Sequence, residues 1–424
     1  MATTKKKKPI FQSVKGMHDI LPADQPLWER MRKVARDLAE SYTYNRIDTP
    51  LLEKAELFER GIGQATDIVE KQMFILKTKS DERLALRPEG TAAIVRAYLE
   101  QGLDHLPQPL KLYYLGPMYR YEQPQAGRLR QFHQLGFEIL GGESDAVYDA
   151  QAILACYRFL EEMKLDRLNI QINSIGCKSC RLLYRKKLVD YYKNKNSCKT
   201  CKKRLAFNPL RLLDCREKEC QEMKKAAPLF LDTLCPNCSQ HFKRVLEYLD
   251  ELRLPYLLNH YLVRGLDYYN RTVFEIYHEC WDDALASGGR YDYLAEMLGG
   301  RPLSAVGGAI GWERVLLLIK NQNITFPGRP KAKAFFIHIG ESAKKRSLSL
   351  IEELRRGGII IQDSLGKDSL NAQLRAADRE GAALALIFGQ KEVYEAEIII
   401  RDLKSGGQET VPLVKIVEEV KKRL

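Results

Sequence analysis

The chain has 424 residues, 45% of them hydrophobic and 29% charged, the proportions of an ordinary soluble protein with room for two or three domains. No apolar run is long enough to cross a bilayer, and the opening MATTKKKKPIF has lysines but no apolar signal core, which sets aside helical membrane proteins and exported ones. The net charge of +13 favours polyanionic partners, although no RNP-type stacking motif accompanies it. Ten cysteines without an export signal imply a reducing, cytoplasmic setting with thiols free or metal-bound.

In chain order, residues 24–40 predict a helix, with Asp24 as cap, Pro26 in the first turn and Met31, Val34, Ala35 and Leu38 on one stripe. YNRIDTPLLE predicts a short strand ended by Pro50. Residues 110–122 and 130–142 predict two strands of an antiparallel hairpin across the loop QPQAGRL, and 166–176 a further strand. Residues 177–255 are rich in Lys, Arg and Cys and helical in pattern, with Phe242, Val245, Leu246 and Leu249 on one face. They read as an insertion in a first domain spanning 9–325. Strands resume at 261–278. A Pro/Gly linker at 321–333 leads to alternating strands and helices over 331–424, the pattern of a small α/β domain.

As a strand, RQFHQLGFE places Phe132, Gln134 and Glu138 on one face and His133, Leu135, Phe137 and Ile139 on the other. The polar face is either a wet outer surface or a binding floor, and His133 is most simply a packed histidine. Arg120 ends the preceding strand and Arg128 sits in the loop, where guanidinium forks suit phosphate or are merely solvated. Glu89, Gly90 and Thr91 form a strand-to-helix turn, in which Thr91 either caps the helix or meets a ligand. VGGAIGWERV lets a helix sit close to a sheet, with Arg314 projecting from its first turns. LVRGLDYYNR crowds Arg264, Tyr268, Tyr269 and Arg271 onto the start of a strand, either an edge strand or the wall of a site.

Cys177, Cys180, Cys198, Cys201, Cys215, Cys220, Cys235 and Cys238 fall in the insertion as CKSC, CKTC, CREKEC and CPNC. Four such pairs predict one or two structural thiolate zinc sites, with packed reduced thiols as the other reading. Spacing does not say which pairs share a metal.

Taken together, these stretches resemble histidyl-tRNA synthetase, a class II aminoacyl-tRNA synthetase. KGMHDILP and the helix and strand after it resemble motif 1, YRYEQPQAGRLRQFHQLGFE motif 2 and VGGAIGWERV motif 3; RGLDYY and ASGGRYD match the two histidine-specific motifs. The resemblance implies an α+β fold: a class II antiparallel sheet with flanking helices, the helical Cys-rich insertion, and a C-terminal anticodon-binding domain. It implies a homodimer that joins L-histidine to tRNA(His) through a histidyl-adenylate made from ATP, with Mg²⁺ on the β- and γ-phosphates.

By the same resemblance, Arg120 and Arg264 face the α-phosphate as catalytic groups, and Phe132 and Arg314 sandwich the adenine, with Arg128 also on ATP. Glu89, Gly90 and Thr91 take the α-ammonium side of histidine. Gln134 and Glu138 hold the amino acid, Glu138 and Tyr269 read the imidazole, and Tyr268 and Tyr291 line the pocket. Some positions depart from the family pattern: Gly308 stands where phenylalanine is frequent, Trp312 where leucine is usual, Tyr293 where glycine is common and Asn371 where a basic residue is frequent. The alternative function is a synthetase-like regulatory subunit of ATP phosphoribosyltransferase. Such paralogues lack the anticodon domain and lose catalytic positions, both of which this chain keeps.

Overall fold

Helix-spaced apolar residues open the structure, a computed structural model that describes residues 10–64, 66–215, 217–327 and 332–424. The lysine tail and part of the 321–333 linker lie outside the described residues. Helix α1 (Gln25–Ser41) has Pro26 in its first turn and buries Met31, Val34, Ala35 and Leu38. Its start differs from expectation. Asp24 makes no side-chain cap, because its carboxylate is drawn to Lys320 at 2.6 Å. Strand β1 is only Asn45–Arg46, and the chain then enters a small separate sheet: β2 (Leu52–Lys54), α2 (Ala55–Ile62), β3 (Phe74–Lys77) and β4 (Arg83–Leu86), with β4 between the other two strands. Helix α3 (Thr91–Glu100) follows.

The hairpin forms as predicted: β5 (Leu110–Tyr119) and β6 (Gln131–Leu140) pair antiparallel from Leu110 opposite Leu140 to Tyr119 opposite Gln131. Helix α4 (Ala146–Glu162) is capped by Asp145, whose carboxylate accepts the Val147 N–H at 2.8 Å. After β7 (Leu168–Ser174) come α5 (Lys178–Tyr192), α6 (Lys199–Phe207), α7 (Lys218–Lys225) and α8 (Pro236–Glu251). Helix α8 begins among the cysteines, with Cys238 buried there, and further along buries Phe242, Val245 and Leu249 in the same core as α4.

A short β8 (Tyr256–Leu258), not anticipated, pairs parallel with β7. The strand expected over 261–278 begins only at Asn270, as β9 (Asn270–His278). Residues 261–269 are a loop because other partners take their backbone groups. The Asn173 amide donates to the Leu262 carbonyl at 3.1 Å, and the Asp267 N–H donates to Ile62 O at 2.9 Å. Arg271, with φ of 50°, turns the chain into the ladder. Next come β10 (Trp281–Arg290), α9 (Leu294–Met297), β11 (Ala305–Gly311) and α10 (Trp312–Asn321).

The main sheet runs β1-β5-β6-β11-β10-β9-β7-β8, antiparallel except at its two outer pairs. Period two divides β6 as expected: Leu135, Phe137 and Ile139 enter a core with Met31, Phe159 and Trp312. Burying each such side chain contributes about 1.5–3 kcal/mol. Trp312 fills that core against Phe159 and Trp28. On β11, Gly308 lies where any Cβ would come within 2.7 Å of Phe274 and 2.8 Å of the Cys156 sulfur, so the position excludes a side chain here. His133 packs edge-on to Trp28 and meets Glu313 through Nδ1 at 2.7 Å, the packed reading.

The chain divides into two compact units between Phe326 and Pro327. The second contains β12 (Ala334–His338), α11 (Glu341–Arg356), β13 (Ile361–Asp363), α12 (Leu370–Glu380), β14 (Leu384–Phe388), α13 (Gln390–Glu395), β15 (Glu397–Asp402), β16 (Gln408–Pro412) and α14 (Ile416–Arg423). Its sheet order is β13-β12-β14-β15-β16, parallel among the first three and closed by the expected β15–β16 hairpin. The fully buried Phe336, Leu354, Leu386 and Ile398 centre its core.

Candidate active site

The polar face of β6 opens on a cavity of about 360 Å³. Glu89 and Thr91 reach it from the turn before α3, Arg120 from the end of β5, and Phe132 and Gln134 from β6. Arg264, Tyr268 and Tyr269 come from the 261–269 loop, Arg128 from the hairpin loop and Arg314 from α10. Residues distant in sequence thus share one wall. A loop rather than a strand explains how the adjacent Tyr268 and Tyr269 both face it, their ring centroids 4.6 Å apart.

Four guanidinium groups reach the cavity, each held by a carboxylate or a carbonyl. Arg120 Nε donates to the Pro88 carbonyl at 2.9 Å and its guanidinium lies 5.1 Å from the centre of the Phe132 ring. Burial pushes the Arg120 guanidinium below its ordinary range; Glu122 and Glu89 oppose that, and Arg264 adds to it. Arg264 pairs with Glu275 and donates to Ser287 Oγ at 2.8 Å. Arg128 pairs with Asp283 at 2.9 Å. Arg314 is fixed by two carbonyls, Gly127 at 3.1 Å and Ala284 at 2.6 Å. An anion would be met by the N–H groups these partners leave over, and a flat ring by a guanidinium face.

Glu89 and Thr91 are organised around the start of α3. Thr91 is not the cap; Gly90 holds that position without a side chain. Glu89 does the capping instead, accepting the N–H of Thr91 at 2.7 Å and of Ala92 at 2.9 Å. The Thr91 hydroxyl is thereby free to donate to Glu138 at 2.8 Å. Burial raises the Glu89 carboxyl, against those two N–H groups. Gln134 Oε1 is buried without a hydrogen-bond partner, which a bound donor would satisfy.

Glu138, Tyr291 and Gly90 do not line the cavity; they stand behind its wall. Glu138 is 1% exposed, and the Tyr291 hydroxyl donates to its second oxygen. Burial pushes its carboxyl up to about 8, although the Tyr291 and Thr91 hydroxyls oppose the shift. Gly90 and Gly136 leave room for the buried Tyr114 ring between them. The GGRYD segment divides its work. Arg290 is fully buried and bonds Asp149 at 3.1 Å, Asp292 at 3.0 Å and Ser304 at 2.9 Å. Burial alone would raise Asp149, but Arg290 and His241 hold it well below the usual carboxylate range.

The eight insertion cysteines form two groups. Cys177, Cys180, Cys235 and Cys238 make one, and Cys198, Cys201, Cys215 and Cys220 the other; within each, the sulfurs lie within 4.8 Å of one another. All are free thiols. In three pairs the first cysteine is a helix N-cap, at Cys177, Cys198 and Cys235, and backbone N–H groups point at sulfur, as from Cys235 to Cys180 at 3.1 Å. Sulfurs around a tetrahedral zinc stand about 3.8 Å apart. Cys177 and Cys180 are 3.6 Å apart and Cys198 and Cys215 3.8 Å, so each group fits such an ion.

Sequence reasoning missed Tyr114, Glu275, Ser287, Asp283 and Asp214, all of which line the cavity. Glu275 and Tyr277 left a signal, since they alternate on one face of an otherwise apolar strand. Asp214, which the insertion brings to the rim, left none.

The family model described as Histidyl-tRNA synthetase matches residues 16–315, and one described as Anticodon binding domain matches residues 333–423. A Dehalococcoides mccartyi protein named histidine–tRNA ligase is 45% identical over 419 residues, 98% of this chain and all of that one. A Desulforudis audaxviator protein of the same name is 44% identical over 420 residues, 97% of this chain and 99% of its own. The crystal structure of apo S. aureus histidyl-tRNA synthetase aligns with a TM-score of 0.80 at 32% identity, covering 97% of this chain and 99% of that one. The antiparallel sheet, its arginine-lined cavity and the anticodon-binding unit together define a class II aminoacyl-tRNA synthetase. Within that class, the chain belongs to the histidyl-tRNA synthetase family. The regulatory-subunit alternative is not favoured, because relatives named as ligases match the chain over nearly its full length, anticodon unit included. No helix among the described residues is long and apolar enough to cross a membrane.

Proposed function

We infer that this chain ligates L-histidine to tRNA(His) at the expense of ATP, through a histidyl-adenylate. The observation that carries the reading is one cavity lined by Glu89, Thr91, Gln134, Tyr268 and Tyr269 together with four guanidinium groups. An amino acid offers an ammonium and a carboxylate; ATP offers phosphates and a flat base.

The α-ammonium lies at Glu89 and Thr91, beside Gly90, whose lack of a side chain makes room for the Tyr114 ring. Gln134 supplies an acceptor that already lacks a partner. Tyr269 and Glu138 read the imidazole, with Tyr268 and Tyr291 shaping the pocket. Each Glu138 oxygen already accepts one hydroxyl and keeps a second lone pair with which to meet the ring. A ring without polar nitrogens would leave these groups unpaired, which is a strong basis for rejection.

Phe132 and Arg314 hold adenine from opposite faces, Arg128 meets the triphosphate, and Mg²⁺ arrives as part of the ATP substrate. The histidine carboxylate attacks the α-phosphorus, and pyrophosphate leaves. Arg120 and Arg264 stabilise the charge that grows on the α-phosphate oxygens; the catalysis is positioning plus electrostatics. A terminal ribose hydroxyl of tRNA(His) then takes the histidyl group and AMP departs. The second unit, residues 331–424, binds the anticodon arm.

Both four-cysteine groups hold structural zinc, all four positions closed by sulfur, and tie together a module whose buried side chains include Tyr184, Leu188, Leu212 and Phe230. The protein works as a homodimer joined near the motif 1 segment, a reading supported by exposed Ile10, Phe11, Val14 and Leu21 there. Cysteines held as zinc thiolates or reduced thiols suit the reducing cytoplasm. The test is ATP–pyrophosphate exchange: label enters ATP only with histidine present. Folded protein that shows no exchange would return the regulatory-subunit reading.

A further inference from the structure

The loop that brings Arg264, Tyr268 and Tyr269 to the cavity has no helix or strand of its own to hold it. Asn173 and Ile62 hold its backbone from outside the insertion, and the cysteine module holds the 267–269 end. A single nitrogen of Arg181, Nη1, donates to both the Asp267 and the Tyr269 carbonyls, at 3.2 and 3.0 Å. Asn208 Nδ2 donates to the Asp267 carboxylate at 3.0 Å. That carboxylate is pressed against Gly63, where a Cβ would come within 2.5 Å of it. Both donors are tied to cysteines. Arg181 directly follows Cys180, and Asn208 closes α6, the helix that Cys198 opens. One contact therefore hangs from each four-thiol group.

The chemical steps above use neither Arg181 nor Asn208. Two carbonyls bracketing Tyr268, fixed to one cation, set where the two tyrosine rings point. Most of the ATP end does not share this dependence, and Arg264, although in the same loop, is held separately by Glu275 and Ser287. Phe132 belongs to β6, Arg314 to α10, and Arg120 is anchored on the Pro88 carbonyl.

We propose that Arg181 and Asn208 are positioning residues for histidine recognition, through which the cysteine module fixes the 267–269 stretch beside the amino-acid part of the cavity. The proposal rests on the reading that this loop contacts histidine. Its consequence is selective: slackening the loop weakens histidine binding and spares ATP binding.

The experiment measures KM for histidine and for ATP separately, by pyrophosphate exchange, in R181A, R181K, N208A and Y269F. For R181A and N208A the histidine KM should rise about tenfold, inside the roughly hundredfold loss that a misplacement of about 1 Å can cause. The ATP KM should stay within about twofold, a spread smaller than 1.4 kcal/mol represents. R181K should recover much of the loss, because one ammonium can serve both carbonyls. An unchanged histidine KM in folded R181A, or equal rises in both constants, overturns the proposal. Should R181A not fold, N208A decides by the same criterion. If Y269F raises the histidine KM and the positioning variants do not, the inference alone fails. If Y269F leaves it unchanged, the reading of the loop fails and the inference with it.

Discussion

Arg120 and Arg264 reach one cavity from segments far apart in the chain, and the charge of Arg264 adds to burial in disfavouring the Arg120 cation. Two guanidinium groups held against their mutual repulsion form a site that an anion relieves. The structure fixes both before any anion arrives, Arg120 on the Pro88 carbonyl and Arg264 on Glu275 and Ser287. Pre-orientation of this kind is what lowers a barrier, because no rearrangement is needed as charge develops.

Arg264→Gln should lower the rate of adenylate formation by about 10²–10³-fold, the cost typical of losing one donor to developing charge. Removing this cation also leaves Glu275 without its ion partner, which itself destabilises. The double variant R264Q/E275Q separates the two effects: its circular dichroism and melting temperature should stay near those of the parent while exchange remains low. A parent-like exchange rate in either variant would remove Arg264 from catalysis.

Phe132→Ala should raise the KM for ATP about tenfold, since stacking of a base on an aromatic ring is worth about 1–3 kcal/mol. Histidine KM should move little. Equal changes in both constants would mean that Phe132 shapes the sheet floor rather than holding the base.

Glu138 gives a pH signature. Its carboxyl is raised from an ordinary 4.5 to about 8 in the folded chain. Between those values the unfolded chain has released a proton that the folded chain keeps. This group's contribution to stability is therefore full below about pH 4.5 and falls as pH rises, by about 1.4 kcal/mol per unit. Glu138→Gln cannot titrate, so its unfolding free energy should lose less than the parent's between pH 5 and pH 7.5. Denaturant melts that run parallel across this range would show that the carboxyl is not perturbed.

Protein purified under reducing conditions without chelator should contain about two zinc ions per chain, one for each four-cysteine group. Elemental analysis checks the count, and a strong chelator should lower the melting temperature. Less than one zinc per chain would leave the cysteines as packed thiols.

Much of the site was legible because it lies on a regular strand. The alternation through Phe132, Gln134 and Glu138 survives unchanged in β6. The 261–269 loop misled because Leu262 and Val263 carry strand-like chemistry, while the bonds that keep them out of the ladder come from Asn173 and Ile62, far away in sequence. Thr91 and Asp24 misled for a related reason. Each has cap chemistry, but Glu89 takes over the capping near Thr91, and Lys320 takes the Asp24 carboxylate. The cysteine pairing could not be read at all. The first pair joins the last, and the second joins the third, an arrangement that only the folded module defines. The short helices α13 and α14 escaped notice because brief amphipathic turns carry little periodic signal.

The most direct test of convergence on one nucleotide is a crystal structure with a non-hydrolysable histidyl-adenylate analogue. The account predicts guanidinium nitrogens of both Arg120 and Arg264 within about 3 Å of oxygens on the phosphate-mimicking group, with the imidazole between Tyr269 and Glu138. An analogue bound elsewhere, or one whose phosphate mimic meets neither arginine, would contradict it.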